Sequence, residues 1–338
     1  MYATYKKEKD KMNNMMITND AKKRLLRDVK QITTNPLNEH GIYYVQDDIN
    51  MLKGYAMIVG PPNTPYFGGY YFFEFLFPYN YPYQPPIAKY CTNKNNIRFH
   101  PNLYENGKVC LSILNTWSGE QWSSCQTITT ILLSLITLFD NNPLINEPDV
   151  TIIHPEVPIY NKIIEFANMD IAICDILFYL LRENTNNKDN TDKIIKTEET
   201  FTITHFNSLQ EIEINEIISD DDDDDKQQKL HIIQNPIKIA EKNKKPNSGG
   251  GGGNIFPDFF HLFKSDVINR FIENKDKLLC ICQELNKTNQ GMAIQYSMQF
   301  YYRIHLLVDY TKIINKLKNC IQIVDSFNSG KEKETTET

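Results

Sequence analysis

A long polar segment at residues 183–254 limits how this chain can fold. It begins with ENTNNKDNTDK, contains the six consecutive aspartates Asp220 to Asp225, and ends in KKPNSGGGGGN. Such a composition buries too little apolar surface to offset the chain entropy that is lost on folding. We therefore expect a linker that separates a folded unit at residues 15–182 from a second unit at residues 255–326.

The overall charge of the chain argues against a nucleic-acid-binding protein. The formal net charge is -6 at pH 7, whereas phosphate binding needs a basic face. Lysines do cluster near the N-terminus, but Glu8 and Asp10 alternate with them. We therefore expect a solvated basic tail at residues 1–14.

Cysteine usage and hydropathy predict a soluble, intracellular protein. Seven cysteines, an odd number, are scattered through the chain, which is not typical of a disulfide framework. The longest apolar run, residues 131–139, is far shorter than the roughly 18 to 20 residues that cross a bilayer. We expect free thiols, no membrane association, and a location in the cytoplasm, with the nucleus as a second compartment.

The first unit begins with a helix, continues with short strands and ends in helices. Apolar residues recur at helical spacing in residues 19–34, and Asn19 or Asp20 is available as the N-cap. Four strand-like runs follow, separated by turn sequences such as GPPNTPYFGG and PYNYPYQPP. Short connections favour an antiparallel meander. With helices predicted at residues 124–139 and 159–181, the pattern predicts an α+β fold.

The second unit is expected to be an appended helical extension. Residues 256–285 and 300–324 both have the apolar periodicity of amphipathic helices, and residues 327–338 form a polar tail. The aromatic residues in FPDFFHLF are expected to pack on the first unit. A Cys-x-Cys pair in the first of these helices lacks a second ligand pair at zinc spacing, so we expect core residues and no metal site.

The stretch HPNLYENGKVCLSIL, residues 100–114, contains a candidate nucleophile. Asn-Gly is a strong hairpin signal, because both residues tolerate the positive φ of a type I′ turn. A two-residue turn at Asn106 and Gly107 places Leu103 opposite Cys110 and brings the His-Pro-Asn triplet beside the thiol. An Asn amide there can donate a hydrogen bond to the oxyanion that forms when a nucleophile adds to a carbonyl. A cysteine in an apolar run is also typical of a buried core residue, so both interpretations stay open.

These motifs resemble those of ubiquitin-conjugating enzymes. The triplet HPN with a cysteine eight residues after the Asn, the segment GPPNTPYFGGYYFFEFLFP and the loop FPYNYPYQPP are similar to blocks that follow the same order in that family. The stretch between Cys110 and Trp122 is longer than in most members. Together with NEP at residues 146–148, this insertion resembles the large, C-terminally extended members, the enzyme Z type. The resemblance covers about residues 20–181.

The resemblance implies a thioester-forming transferase that needs no metal and no organic cofactor. It implies that Cys110 accepts ubiquitin or a ubiquitin-like modifier from an activating enzyme, and that Asn102 stabilises the oxyanion when a substrate lysine attacks. It also implies an acid near the site, for which Glu147 is the nearest match and Asp149 the alternative. Roles in active-site architecture are implied for His100, Pro101 and Trp122.

Surfaces for partner proteins also follow from the resemblance. Basic residues on the first helix meet the activating enzyme in this family, and two loops bind the ubiquitin ligase. The corresponding residues here are Lys23, Arg24 and Arg27 on the helix, and Tyr83, Ser124 and Cys125 in the loops. The family usually has Pro and Ala at the last two positions, so the choice of ligase stays open, as do the protein substrates. The extension is expected to adjust the choice of modifier or of activating enzyme.

Two other functions are compatible with parts of the sequence. An inactive scaffold would bind the modifier or a ligase without catalysis, but such variants lack the cysteine that this chain keeps. A cysteine hydrolase would pair Cys110 with His100 or His154. A proline follows each of these histidines, and no protease motif surrounds the cysteine.

Overall fold

The computed structural model describes residues 16–94, 97–181, 256–302 and 304–336, with side chains up to residue 326. The predicted basic tail at residues 1–14 and the predicted linker at residues 183–254 lie outside the described residues.

The first helix, α1, extends over Asn19–Thr34 and is capped one residue earlier than predicted. The cap is Thr18, whose side-chain oxygen accepts a hydrogen bond from Ala21 N at 3.1 Å. Asn19 and Asp20, the predicted caps, instead occupy the first turn, where their backbone is already helical. An acid in this turn, Asp20, is favourable because it faces the positive end of the helix dipole.

Four strands form an antiparallel sheet in the order of the chain. They are β1, Ile42–Gln46; β2, Lys53–Val59; β3, Tyr70–Leu76; and β4, Ile87–Tyr90. In this register Met57 lies opposite Tyr43 on one side and Phe72 on the other. The sheet confirms the predicted four-stranded antiparallel meander.

The central strand β3 is buried on both of its faces. Side chains alternate between the faces of a strand, so Tyr71 and Phe72 point in opposite directions. On one face the Tyr71 hydroxyl donates to Asn168 Oδ1 at 2.6 Å. On the other face Phe72 stacks on Phe260 of the extension, with ring centroids 3.7 Å apart. The strand sequence YYFFEFL, which has little polar alternation, fits a strand that is covered on both sides.

Helices complete the first unit. They are α2, Ile128–Ile136; α3, Glu156–Ala167; a π-helical segment, Asn168–Asp175; and α4, Ile176–Leu181. The predicted start of α2 at residue 124 is wrong, because Ser124 and Gln126 form a turn whose carbonyl groups accept hydrogen bonds from Arg24. Thr127 then caps α2 through a reciprocal pair of hydrogen bonds with Thr130.

The extension contains a β-hairpin as well as helices. A 3₁₀ segment, Asp258–Phe263, leads into α5, Lys264–Thr288; the paired strands are β5, Ile294–Met298, and β6, Ile304–Val308; and α6 covers Tyr310–Thr336. The helix predicted for residues 300–324 is therefore wrong at residues 304–308, which form β6. Buried Ile304 and Val308 flank the exposed residues His305 and Leu307, and an extended backbone suits this branched, partly alternating run.

The last helix also continues beyond residue 326, where a polar tail was expected. α6 ends at Thr336, and its final residues, KEKETT, contain lysines and glutamates that favour helix. A polar composition does not exclude a helix when the residues have a high helix propensity.

Ion pairs join α6 to the first unit. Lys316 on α6 contacts Asp170 and Asp175 at 2.5 and 2.6 Å, and Lys94 contacts the other oxygen of Asp175 at 2.7 Å. Largely buried charges are stable only when they are paired, and here two ammonium groups face two carboxylates. Together with the aromatic contacts on β3, these pairs make the described parts of both predicted units one compact body.

We predict that the extension contributes directly to the stability of the sheet. Phe260→Ala removes a side chain with 0% exposure and leaves a cavity against Phe72, so the free energy of unfolding should fall by about 3–5 kcal/mol in guanidinium titrations. Leu262→Ala is the matched control, because Leu262 is 51% exposed, and it should change this free energy by less than about 0.5 kcal/mol. Equal effects of the two substitutions would contradict the prediction.

Candidate active site

The hairpin around the Asn-Gly pair has a three-residue loop, so the predicted two-residue turn is wrong. Within the loop only Gly107 has a positive φ, 86°. Gly107 N donates to Tyr104 O at 2.8 Å, and Tyr104 N donates to Lys108 O at 2.9 Å. A three-residue loop of this kind needs the left-handed conformation only at its last residue. The register shifts by one position, and Leu103 pairs with Val109.

The observed register places Asn102 directly across the hairpin from Cys110. Cys110 N donates to Asn102 O at 2.9 Å, and Asn102 Nδ2 donates to the carbonyl oxygen of Cys110 at 2.8 Å. The predicted register paired Cys110 with Leu103 instead. The amide group of Asn102 is therefore held beside the cysteine, and it carries a second hydrogen that can serve another acceptor.

Cys110 has 0% exposure, and its neighbours in the chain are held by the insertion that follows. Leu111 N donates to Thr116 Oγ1 at 2.9 Å, and the Thr116 hydroxyl donates back to Val109 O at 2.8 Å. A Cβ atom at Gly119 would lie 3.1 Å from Ser112 Cβ, so the insertion passes close to the residues after the cysteine. The sulfur is therefore enclosed in this state of the protein.

The insertion is also tied to the loop that carries Tyr83. Trp122 N donates to Asn115 Oδ1 at 2.8 Å, which closes the insertion at its base. Trp122 Nε1 donates to Pro82 O at 2.7 Å, and its ring packs near Tyr81 with centroids 5.9 Å apart. Trp122 thus connects the two loops for which the family resemblance implies a ligase surface.

His100 holds the triplet through its ring. Its Nδ1 accepts a hydrogen bond from Asn102 N at 2.9 Å, and the side chain is fully buried. Burial, with the charge of Arg98 as a second cause, lowers the pKa of His100 to about 3, so the ring is neutral at physiological pH. His154 likewise accepts from Glu156 N through Nδ1, at 3.2 Å. Each ring stabilises a local turn, which does not favour the pairing with Cys110 that a cysteine hydrolase requires.

Arg98 connects the triplet to the rest of the site, although no motif in the sequence singles it out. Its Nη2 donates to the carbonyl oxygen of Pro101. Its guanidinium lies 3.9 Å from the ring centroid of Tyr104 and 5.0 Å from that of Tyr302, within the range of cation–π attraction. Its backbone carbonyl accepts from the Tyr160 hydroxyl at 2.6 Å. The one available signal was a basic residue two positions before the triplet.

Glu147 belongs to the same cluster. Its Oε1 accepts a hydrogen bond from the Tyr302 hydroxyl and lies 3.6 Å from Arg98 Nη2. Tyr302 is 155 residues away in the sequence, on the extension, so nothing in the local pattern linked the two residues. Asp149, the alternative acid, is exposed and adopts a φ of 67°. The structure brings Glu147 into contact with the residue that holds the triplet.

The predicted contact residues on α1 divide into two groups. Lys23 and Arg27 are exposed. Arg24 is buried and forms an ion pair with Asp28 at 2.8 Å, and it also donates to the two carbonyl groups that precede α2. Arg24 therefore stabilises the interior, because it lies on the same helical face as Asp28, and it does not belong to the exposed surface. In the loops, Tyr83, Ser124 and Cys125 are all exposed.

The cysteines other than Cys110 divide into buried and exposed residues. All seven cysteines are free, and only Cys125 and Cys280 are exposed. Burial raises the pKa of Cys91 and of Cys282 to about 12, so both thiols stay protonated at neutral pH. The Cys-x-Cys pair of the extension is split, since Cys282 is a core residue as predicted and Cys280 is not.

Within the described ranges, no group of three or more His, Cys, Asp or Glu residues is arranged to hold a metal ion. The helices that the structure describes also include none that is long and apolar enough to cross a membrane.

Comparison with known proteins identifies the family of this site. Residues 24–157 match the sequence model of the family described as ubiquitin-conjugating enzyme. Human ubiquitin-conjugating enzyme E2 Z is 43% identical over 157 residues, which are 46% of this chain and 44% of that protein. The human dual E2 ubiquitin-conjugating enzyme/E3 ubiquitin-protein ligase BIRC6 is 36% identical over 154 residues, which are 40% of this chain and 3% of that protein.

Residues 24–157 belong to the ubiquitin-conjugating enzyme family. The matched segment contains the triplet, the hairpin and Glu147, and we call it the conjugating domain. The match spans less than half the length of these curated relatives. A solved structure of human ubiquitin-conjugating enzyme E2 G1 is 33% identical, with a TM-score of 0.30, over 34% of this chain and 90% of that chain.

We predict that His100 makes the stability of the conjugating domain sensitive to acid. An unfolded histidine has a pKa near 6.5 and His100 a pKa of about 3, so the unfolded state binds more protons between these values. The contribution of the neutral His100 to the free energy of unfolding is therefore fully present above pH 6.5 and falls as the pH drops below that value. Between pH 6 and pH 4.5 the wild type should lose about 2 kcal/mol more than His100→Asn, which keeps an acceptor without titrating.

Guanidinium titrations of both proteins across this pH range measure the difference, and the other titrating groups cancel in the comparison. If the free energy of unfolding changed with pH in the same way for the wild type and His100→Asn, the prediction that His100 is buried and neutral would be contradicted.

Proposed function

We propose that this conjugating enzyme accepts ubiquitin or a ubiquitin-like modifier on Cys110 as a thioester and transfers it to a substrate lysine with or through a ligase. One observation carries the proposal: Asn102 is held across the hairpin from Cys110, inside the segment that matches the ubiquitin-conjugating enzyme family.

Both steps of the proposed reaction are acyl transfers. In charging, the Cys110 thiolate attacks the thioester carbonyl that links the modifier to the activating enzyme. A new sulfur–carbon bond forms, and the thiolate of the activating enzyme leaves. In discharge, the amine of a substrate lysine attacks the carbonyl on Cys110, the amide bond forms, the Cys110 thiolate leaves, and the amine loses a proton. The reaction needs no metal and no organic cofactor.

Asn102 is proposed as the donor to the oxyanion of the tetrahedral intermediate. One hydrogen of its amide is bonded to the Cys110 carbonyl oxygen, which fixes the plane of the amide next to the reacting residue. The second hydrogen is then free to bond the oxyanion as charge develops on it. A donor that is already in position costs little reorganisation at the moment of reaction.

The burial of Cys110 requires an opening before charging. We propose that the insertion at residues 115–121 moves, because all of its residues are exposed and it lies beside the segment after the cysteine. Exposed loops of this kind open at low free-energy cost compared with core elements. Trp117 lies in this insertion and would then shape access to the sulfur.

Glu147 is proposed as the acid that orients or deprotonates the incoming lysine. Its support is its contact with Arg98, which in turn holds Pro101 next to Asn102. A carboxylate near the acyl group attracts a protonated amine and can accept its proton.

The proposed partners follow from the exposed residues. We propose that the activating enzyme binds Lys23 and Arg27. The ligase is proposed to bind Tyr83, Ser124 and Cys125. We propose that the enzyme works in the cytoplasm, with the nucleus as a second compartment, which is consistent with seven free thiols. The extension is proposed to influence which modifier or activating enzyme is accepted.

We predict a covalent intermediate on Cys110. Incubation with an activating enzyme, ATP and ubiquitin should give a form of the enzyme that is heavier by one ubiquitin. Thiol reductant should release this ubiquitin from the enzyme. Cys110→Ser should give a product that resists the reductant, because an oxygen ester replaces the thioester. Cys125→Ser is the matched control and should charge like the wild type. Gel electrophoresis with and without reductant measures both products, and the absence of both with a panel of modifiers would refute the proposal.

We predict a large and selective effect of Asn102→Ala. Loss of one oxyanion donor typically lowers a rate about 100- to 1000-fold, so discharge of the preformed thioester to free lysine should slow by that order. Asn106→Ala, in the exposed loop of the same hairpin, should leave discharge close to the wild-type rate. Single-turnover discharge assays test this, and equal rates for Asn102→Ala and the wild type would remove Asn102 from the reaction.

A further inference from the structure

The turn between β5 and β6 is anchored on the conjugating domain by a buried carboxylate. Glu156, the first residue of α3, is 5% exposed and accepts hydrogen bonds from three successive backbone N–H groups. The donors are Gln299, Phe300 and Tyr301, at 2.7, 3.1 and 3.4 Å. Charge-assisted bonds of this kind are stronger than neutral ones. The turn therefore brings the next residue, Tyr302, to a defined position.

Tyr302 uses this position to reach Glu147. Its hydroxyl donates to Glu147 Oε1, and its ring packs on Tyr160 with centroids 5.6 Å apart. Burial, with Tyr160 and the bond to Glu147 as further causes, raises the pKa of Tyr302, so the hydroxyl remains a donor at neutral pH. The ion pair with Arg98 involves the same oxygen, Oε1, so both contacts hold one edge of the carboxylate.

Arg98 links Tyr302 to the His-Pro-Asn triplet. Its guanidinium lies within cation–π range of the rings of Tyr302 and Tyr104, one from the extension and one from the hairpin that carries Cys110. It also donates to the carbonyl oxygen of Pro101, the residue before Asn102. A continuous series of contacts therefore runs from the extension to the residue proposed to stabilise the oxyanion.

We infer that Tyr302 is a positioning residue for lysine transfer, which fixes the carboxylate of Glu147 and, through Arg98, the triplet that contains Asn102. The inference rests on the proposed function, because it assigns a part of the extension to that reaction. The conjugating domain then receives one element of its active site from outside residues 24–157.

The role is specific for the second step of the reaction. Attack by a lysine needs the amine, the thioester carbonyl and the acid in one geometry, and small displacements from such a geometry lower rates strongly. Charging exchanges one thioester for another and needs no acid beside an amine. Tyr302 should therefore influence discharge much more than charging.

The test uses the full chain and the conservative substitution Tyr302→Phe, which keeps the ring and removes the hydroxyl. The maximum rate of discharge at saturating free lysine should fall about tenfold, as expected for loss of a hydrogen bond to a charged group, while charging with ubiquitin stays at the wild-type rate. Tyr301→Phe is the matched control, because Tyr301 is the neighbouring residue and packs on His154 instead. It should discharge like the wild type. Thermal unfolding of each variant shows that it is folded.

A double-mutant cycle separates positioning from a general structural effect. Glu147→Gln should slow discharge by itself, and Tyr302→Phe should add less than about twofold in that background, because the group on which it acts is gone. A merely structural role of Tyr302 would give the same fold-change in both backgrounds.

The outcomes are distinct for the two proposals. The positioning role is overturned if Tyr302→Phe discharges at the wild-type rate, or if it lowers the discharge rate by the same factor in the wild-type and Glu147→Gln backgrounds. In either case, charging of Cys110 would still support the proposed function. Failure of the wild type to charge with any modifier would overturn both.

Discussion

The stack between Phe72 on the central strand and Phe260 in the extension is the contact on which the arrangement of this protein depends. A four-stranded sheet with helices on one side leaves its other side to water unless something covers it. Here the central strand has aromatic residues on both faces, and the second face is apolar enough to need a cover. The extension provides it. The strands β5 and β6 and the helix after them are held in place as a consequence, and with them the residues that reach the proposed active site.

The proposed active site is built from three segments that are distant in the sequence. The hairpin supplies Cys110 and Asn102, the loop before α3 supplies Glu147, and the extension supplies Tyr302. Arg98 is the residue that contacts all three, through a ring of the hairpin, the carboxylate and a ring of the extension. A planar cation suits this task, because it can stack on aromatic faces and donate hydrogen bonds in its own plane at the same time. In this way packing that stabilises the fold also orders the groups proposed to react.

Much of the fold could be predicted from the sequence, because its signals are local. The strands were marked by turn residues and by branched or aromatic runs, and the meander followed from short connections. The site was predictable in composition and less so in geometry. An Asn-Gly pair is compatible with loops of two or three residues, and only the pairing of Tyr104 with Lys108 decides the register. Arg24 looked like a surface residue because its carbonyl partners follow it by 100 and 102 residues. The contact between Tyr302 and Glu147 could not be predicted either, because it forms through tertiary packing between distant segments and leaves no periodic pattern in the sequence.

The order of these segments along the chain has a consequence for synthesis on the ribosome. The strands emerge first, and the aromatic segment that covers Phe72 follows more than 180 residues later. At translation speeds of roughly 5 to 20 residues per second, the nascent sheet waits on the order of ten seconds or more with an uncovered aromatic face. Such a surface is a natural target for chaperones that bind nascent chains. A chain that ends inside the long polar segment would keep this surface open and leave the proposed active site incomplete.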